Sequence, residues 1–321
     1  MTNHIRWGVL GASNFAKTTM APAINEARRG VLAAVASRHT EKAAPFAELA
    51  PGLRVHNSYD ALLADPEIDA VYIPLPNALH VEWSLKAAEA GKAVLCEKPI
   101  ALTEADFDRL IAARDHHGPL IAEAFMPVHH PQWTKTRDLI AEGAIGDLHH
   151  VTGVFTYGLN DPANVRNSAD LAGGALRDVG VYPIGTFRFA TGLEPDVTGA
   201  EMIREAGVDA STWISARAGE ARLRFHVSMR ASRRQEMVFE GTQGHIRLPA
   251  PFNAGNHAEA QVQLWRDGRE DRIFRFPKDR QYVAQVEAFN AALLDGAPYA
   301  CPLEFSRGTQ AMIDAVFEVA S

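Results

Sequence analysis

Apolar and polar positions change rhythm along the chain. Over the first third, short runs of consecutive apolar residues alternate with stretches spaced like one face of a helix. Residues 6–10, 32–36, 70–73, 93–96 and 120–122 read as buried strands, with 55–56 a weaker one. The helical patterns between them cover 15–29, 40–49 with Thr40 as N-cap, 59–64, 79–90 closed by Gly91, and 103–117 with Thr103 as N-cap. Strands and helices alternating in this way predict a doubly wound parallel sheet.

After about Glu123 the strands lengthen, and several alternate polar with apolar residues. They are predicted at 149–157, 197–204, 212–218, 221–229, 235–240, 244–248, 260–265 and 272–276. Helices are expected at 132–142, 180–190, 282–294 and 305–319. Alternation belongs to an antiparallel sheet with one solvated face. The fold class is therefore α/β: a doubly wound parallel sheet over residues 1–122, then an α+β domain over 123–321 on a large open, mainly antiparallel sheet. A partly apolar open sheet face marks an interface, so a homodimer or homotetramer through the second domain is expected.

Composition narrows the partners. The 321 residues are 47% hydrophobic and 22% charged, which fits an ordinary globular protein with sizeable cores. A net charge of −7 argues against nucleic acid as the main partner. Cys96 and Cys301 lack CxxC spacing, so neither a disulfide framework nor a thiolate metal site is indicated. The start, Met1-Thr2-Asn3-His4-Ile5-Arg6, enters a strand pattern at once, and no segment reaches membrane-spanning length. The expectation is a cytoplasmic protein without a membrane partner. His116-His117, His129-His130 and His149-His150 invite a metal reading. Adjacent strand residues point to opposite faces and no H-E-x-x-H spacing occurs, so no metal is expected.

Two places carry chemistry. The first is Gly11-Ala12-Ser13-Asn14-Phe15-Ala16, between the first strand and the first helix. The dinucleotide fingerprint G-x-G-x-x-G/A of Rossmann domains has this context, with Ser13 in place of the middle Gly. Gly11 suits the tight turn, Ala16 allows close helix packing, and Ser13, Asn14 and Phe15 open the helix toward a phosphate. The second strand ends Ala36-Ser37-Arg38-His39 with no acid to bind a ribose 2′-hydroxyl. Arg38 can pair with a 2′-phosphate and Ser37 can donate to it, which favours NADP over NAD. The second place is Glu97-Lys98-Pro99, directly beyond the apolar run 93–96. Ligands of open α/β sheets bind at such strand ends.

Three motifs then occur in order: Ile73-Pro74-Leu75-Pro76-Asn77-Ala78-Leu79-His80, Glu97-Lys98-Pro99, and Ala172-Gly173-Gly174-Ala175-Leu176-Arg177-Asp178-Val179-Gly180-Val181-Tyr182. Together they resemble the glucose–fructose oxidoreductase/inositol dehydrogenase (Gfo/Idh/MocA) family over essentially the whole chain. The closest likeness is to its NADP-dependent D-xylose dehydrogenase and dimeric dihydrodiol dehydrogenase branch. The resemblance implies that Lys98 lies near nicotinamide and substrate. It makes Asp178 and Tyr182 the family's D-x-G-x-H/Y pair, with Tyr182 the acid/base candidate. Leu75, Pro76, Asn77 and His80 would lie by the nicotinamide ribose, and Glu97 would contact cofactor. Val128 stands where the family commonly has Arg.

An unperturbed Tyr has a pKa of about 10, so Tyr182 needs a nearby cation to serve as base, and Lys98 is the expected source. Asp178, four residues earlier, shares a face with Tyr182 if the segment is helical. Tyr157 near the end of a long strand is a substrate-contact candidate or a sheet-packing residue. The implied enzyme is an NADP-dependent dehydrogenase or reductase acting on CH–OH groups. Its leading reaction is oxidation of a D-xylose-like aldose at C1 to the lactone. Alternatives are reduction of a keto-sugar or dicarbonyl such as 1,5-anhydrofructose, oxidation of a trans-dihydrodiol, or a non-catalytic NADP-binding sensor.

Overall fold

The computed structural model describes residues 3–320, except for the Thr40 side chain; the cap expected there and the first two residues lie outside the described set. The chain forms two compact units. One runs through Met126 and takes in Gln281–Ser306; the other is Pro127–Arg280 with the residues from Arg307 onward.

The elements of the first stretch are β1 (Ile5–Leu10), α1 (Ala21–Glu26), β2 (Gly30–Ala36), α2 (Thr40–Ala43), β3 (Arg54–His56), α3 (Tyr59–Leu63), β4 (Ala70–Ile73), α4 (His80–Glu89), β5 (Ala93–Glu97), α5 (Asp106–His117) and β6 (Ile121–Ala124). Thr103 does receive the Asp106 N–H at 3.3 Å, though the helix proper starts three residues later than expected. The strands form one parallel sheet in the order β3-β2-β1-β4-β5-β6. Apolar side chains cover both faces. Trp7, Val9, Ile24, Phe46, Tyr72 and Leu95 pack on one side, and Leu62, Val71, Ile73, Val94, Phe107 and Leu110 on the other. Burial on both faces explains why these strands read as unbroken apolar runs.

The second stretch holds α6 (Pro131–Ala141), β7 (Leu148–Gly158), α7 (Val181–Thr191), β8 (Asp196–Glu205), β9 (Val208–Ala218), β10 (Ala221–Ser228), β11 (Arg230–Gly241), β12 (Gly244–Leu248), β13 (Ala260–Arg266) and β14 (Arg272–Phe276); α8 (Gln281–Asp295) and α9 (Leu303–Val319) follow. Its strands make one sheet in the order β14-β13-β12-β11-β7-β10-β9-β8. Every neighbouring pair is antiparallel except β7 with β10. The inner face is buried through Val151, Phe155, Leu223, Phe225, Met237 and Phe239.

A single cut after residue 122 does not describe this chain. Helix α8 belongs to the first unit because Val286 and Phe289 join the core of Trp7. The Trp7 indole N–H also donates to Asn290 Oδ1 at 3.0 Å, and the rings of Trp7 and Phe289 lie 5.1 Å apart. Among the described residues, no helix is long and apolar enough to cross a membrane.

His130 marks the start of α6. Its Nδ1 accepts the Gln132 N–H at 3.2 Å, and the side chain is fully buried. Burial pulls its pKa down to about 4. The unfolded chain takes up this proton near the ordinary value of about 6.5, so the contribution is fully present above that pH and is lost on acidification toward 4. His130→Asn keeps a capping acceptor without the titration. Urea unfolding from pH 7 to pH 4 should therefore show a shallower loss of stability in the variant than in the wild type; equal slopes would rule this out.

Candidate active site

Strand order reverses between β1 and β4, and the carboxyl ends of both strands border the crevice this leaves. Gly11 leaves β1 with φ 118°, and a Cβ there would sit 2.9 Å from Leu75 Cδ2 in the loop after β4. Both backbone shape and space therefore demand glycine. Ser13 Oγ accepts the Ala16 N–H at 3.1 Å, which leaves its own proton for a ligand. Asn14 is exposed, and Phe15 stacks edge-on against Tyr282 of α8 at 5.6 Å. Beyond β2, Ser37 differs from expectation. Its hydroxyl donates to His39 O at 2.8 Å and accepts the His39 N–H at 3.1 Å, so its proton is committed to the turn. Arg38 beside it is exposed. The N–H groups that open the helical turn Ala16–Met20 ahead of α1, the glycine turn and Arg38 fit a phosphorylated dinucleotide.

Leu75, Pro76 and Asn77 follow β4 and are half-buried. His80 does not present a free polar edge to a ligand: Nδ1 lies 2.7 Å from Pro99 O and Nε2 2.7 Å from Leu75 O. Burial lowers its pKa, against the pull of those two carbonyls. In the segment expected by the nicotinamide ribose, both its ring nitrogens thus face the protein's own loops. Glu97 ends β5, and its Oε1 accepts the Tyr72 hydroxyl at 2.6 Å. Burial and that carboxylate push the Tyr72 phenol well up. Lys98, half-buried, follows directly, and the Lys98–Pro99 bond is cis. Buried Glu123 of β6 accepts from the Ile100 N–H and from the Ser306 hydroxyl, each at 2.9 Å. Burial raises its pKa.

In the second unit, Asp178 lies on a wide helical turn (Leu176–Gly180) that runs into α7, where Tyr182 follows. One Asp178 oxygen, Oδ2, takes the Tyr157 hydroxyl at 2.6 Å and Arg166 Nε at 2.8 Å. Tyr157 is therefore a partner of Asp178, and burial plus this carboxylate push its pKa up. Asp178 likewise pushes the Arg166 pKa up. The Tyr182 ring packs on Phe155 at 5.2 Å and Phe252 at 5.5 Å. Phe155 and Tyr157 are two apart on β7 and share a face. Tyr182 and Asp178 meet these two residues, so they share a face of their own helix as expected.

The glycines set this helix start. A Cβ on Gly173 would lie 2.3 Å from Arg166 O, and one on Gly174, at φ 114°, would lie 2.1 Å from Asp209 Oδ1. Asp209 in turn accepts the Leu176 N–H at 2.6 Å, and burial pushes its pKa up to about 6. Val128 is a buried core residue, and its isopropyl group gives that position no guanidinium. Sequence reading missed Tyr72, Glu123, Arg166 and Asp209. Arg166 sits in the polar loop Asp161-Pro162-Ala163-Asn164-Val165-Arg166-Asn167, where no pattern distinguishes it. Among the described residues, no group of three or more His, Cys, Asp or Glu is placed to hold a metal.

Known proteins share the sequence pattern and the fold of this chain. Residues 5–125 match the oxidoreductase family with an NAD-binding Rossmann fold, and residues 133–247 match the GFO/IDH/MocA carboxyl-terminal domain. The chain is 33% identical to a dTDP-3,4-didehydro-2,6-dideoxy-alpha-D-glucose 3-reductase of Actinomadura kijaniata, over 98% of this chain and 95% of the relative. It is also 33% identical to D-xylose 1-dehydrogenase (NADP(+)) 2 of Haloferax volcanii, over 98% and 97% of the two chains. Among solved structures, the Actinomadura kijaniata 3-ketoreductase KijD10 in complex with NADP and TDP-benzene superposes with a TM-score of 0.91 at 30% identity, covering 99% of this chain and 98% of its own. On its sequence, its fold and these matches, the chain belongs to the GFO/IDH/MocA family of oxidoreductases.

Proposed function

We propose that the protein transfers a hydride between NADP and a sugar or sugar derivative. The observation that carries this reading is the Asp178 carboxylate, fixed by Tyr157 and Arg166 on the helical face it shares with Tyr182. In the Rossmann unit, Gly11, Ser13, Asn14 and Phe15 would take the phosphates and Arg38 a 2′-phosphate. Leu75, Pro76, Asn77, Glu97 and Lys98 would face the nicotinamide end. NADP, when bound, accepts or gives the hydride.

The protein's own residues handle the proton and the charge. Tyr182 takes the hydroxyl proton of the alcohol as the hydride leaves its carbon, and returns it in the reverse sense. Lys98 supplies the ammonium that meets the reacting oxygen as charge develops on it. Asp178 orients a substrate hydroxyl and is itself fixed by Arg166.

Oxidation of a D-xylose-like aldose at C1 to the lactone is the first reading, supported by the Haloferax volcanii relative. Reduction of a keto-sugar is the second, supported by the 3-reductase relatives, one of them 37% identical over 90% of this chain. Cofactor absorbance measured in both directions, across free aldoses, keto-sugars and dTDP-linked sugars, separates the two. Tight NADPH binding without turnover of any substrate would defeat both.

Tyr182→Phe and Lys98→Met should each lower kcat by about a hundredfold or more while folding and NADPH binding persist. Turnover near the wild-type rate in Tyr182→Phe would move the base elsewhere. Arg38→Ala should weaken NADP binding by about tenfold and leave NAD binding nearly unchanged; an equal effect on both cofactors would refute the 2′-phosphate assignment.

The outer face of the second sheet supports self-association. Trp213 and Ile273 are 38% and 51% exposed there, in one surface with Val154, Val238 and Trp265. A second copy of this chain is the proposed occupant. Sedimentation should show a dimer or tetramer that Trp213→Asp weakens, whereas a monomeric wild type would exclude it.

A further inference from the structure

We propose that His80 and Glu123 act together as positioning residues for Lys98, by gripping the two ends of the one peptide group that follows the Lys98–Pro99 bond. The inference rests on Lys98 acting in the reaction.

The Pro99 carbonyl oxygen faces His80 Nδ1 at 2.7 Å, and the Ile100 N–H donates to Glu123 Oε1 at 2.9 Å. These two atoms belong to one planar peptide unit. Holding both ends of a plane fixes its rotation as well as its position. The proline ring already fixes φ at Pro99, so the rotation that remains between Lys98 and this plane is ψ of Pro99. The two side chains remove that freedom, and the path of the Lys98 backbone is set.

Neither grip comes from ordinary sheet or turn bonding. His80 is the first residue of α4 and Glu123 lies in β6, opposite Cys96 of β5. His80, Glu123 and Ile100 are 1%, 3% and 0% exposed, so water does not compete for either bond. Each gripping group is anchored on its far side. His80 Nε2 lies 2.7 Å from Leu75 O, in the loop that carries Asn77, and Glu123 Oε2 accepts from the Ser306 hydroxyl at 2.9 Å. A neutral imidazole donates to one of its two carbonyls at a time and an imidazolium to both. Glu123 is costly to bury, and hydrophobic packing would fill its place with less penalty. Its two oxygens each hold a donor, and the Lys98 ammonium lies within its electrostatic reach, as does the opposing Glu97. The contacts thus run from the Leu75 loop through His80, the Pro99–Ile100 peptide and Glu123 to Ser306.

The test uses the full-length protein, NADPH and the sugar turned over best in the panel. Glu123→Leu removes the acceptor at similar size, and Glu123→Gln restores it. Glu123→Leu and His80→Ala should each lower kcat about tenfold or more, with the NADPH Kd within about threefold of wild type. Glu123→Gln should recover most of the rate. Combining His80→Ala with Glu123→Leu should be little worse than the poorer single variant, because both act on one peptide. Hydrogen exchange of the Ile100 amide should quicken about tenfold or more in Glu123→Leu and stay slow in Glu123→Gln. If Glu123→Leu does not fold, the exchange and kcat of Glu123→Gln beside His80→Ala decide. Slow Ile100 exchange and normal kcat in folded variants lacking either grip would overturn the inference, as would Glu123→Gln turning over no faster than Glu123→Leu. Lys98→Met separates the two levels. If it keeps full turnover, the catalytic reading of Lys98 falls; if it collapses while the His80 and Glu123 variants turn over normally, only the positioning inference falls.

Discussion

Parallel pairing of β1, β4, β5 and β6 is the constraint on which the first unit's chemistry depends. Strands that all run one way deliver their last residues to one rim. The registers Val9 to Tyr72, Tyr72 to Leu95 and Leu95 to Ala122 keep that rim level. Because the strands are apolar on both faces, slipping any of them would carry buried side chains out of their layers. Polar groups therefore gather mainly where the strands stop. Gly11, Leu75, Glu97 and Lys98 come close because the hydrophobic layers behind them allow one alignment.

The second unit solves a different problem, since it must hold two acids near one helix start. Asp178 has a guanidinium and a phenol on a single oxygen, an environment that favours its charge. Asp209 caps the same turn but is pushed up to about 6 by burial. The identical side chain thus serves as a fixed anion in one place and as a backbone cap in the other. Surroundings set the difference, as they do wherever two carboxyl groups take separate roles. The paired glycines before the helix let both acids and the Arg166 carbonyl crowd into this space.

Much of the fold was legible in the residue pattern, because strands buried on both faces must be apolar throughout and strands with one solvated face must alternate. As candidates, Gly11, Lys98, Asp178 and Tyr182 stand out in the sequence, since each is chemically conspicuous where it stands. The supporting residues do not. Tyr72 meets Glu97 across 25 positions and Glu123 meets Ser306 across 183, and no local spacing encodes such partners. Ser37 and His80 were visible, but hydrogen-bond capacity read from a sequence does not reveal when the backbone has already used it. The division after residue 122 misplaced α8 for the same reason. Its apolar stripe looks alike whichever core it fills.

That helix has a bearing on how the molecule is made. The core around Trp7 lacks Val286, Phe289 and the Asn290 partner of the indole until those residues have been synthesised. The two units interleave along the chain: Pro127–Arg280 comes between the two pieces of the dinucleotide-binding unit, and the residues from Arg307 onward return to the second unit. Domains tend to fold in the order in which they leave the ribosome. Here all strands of the second sheet are made before the first unit receives its missing wall, while the second unit itself still waits for the residues after Ser306.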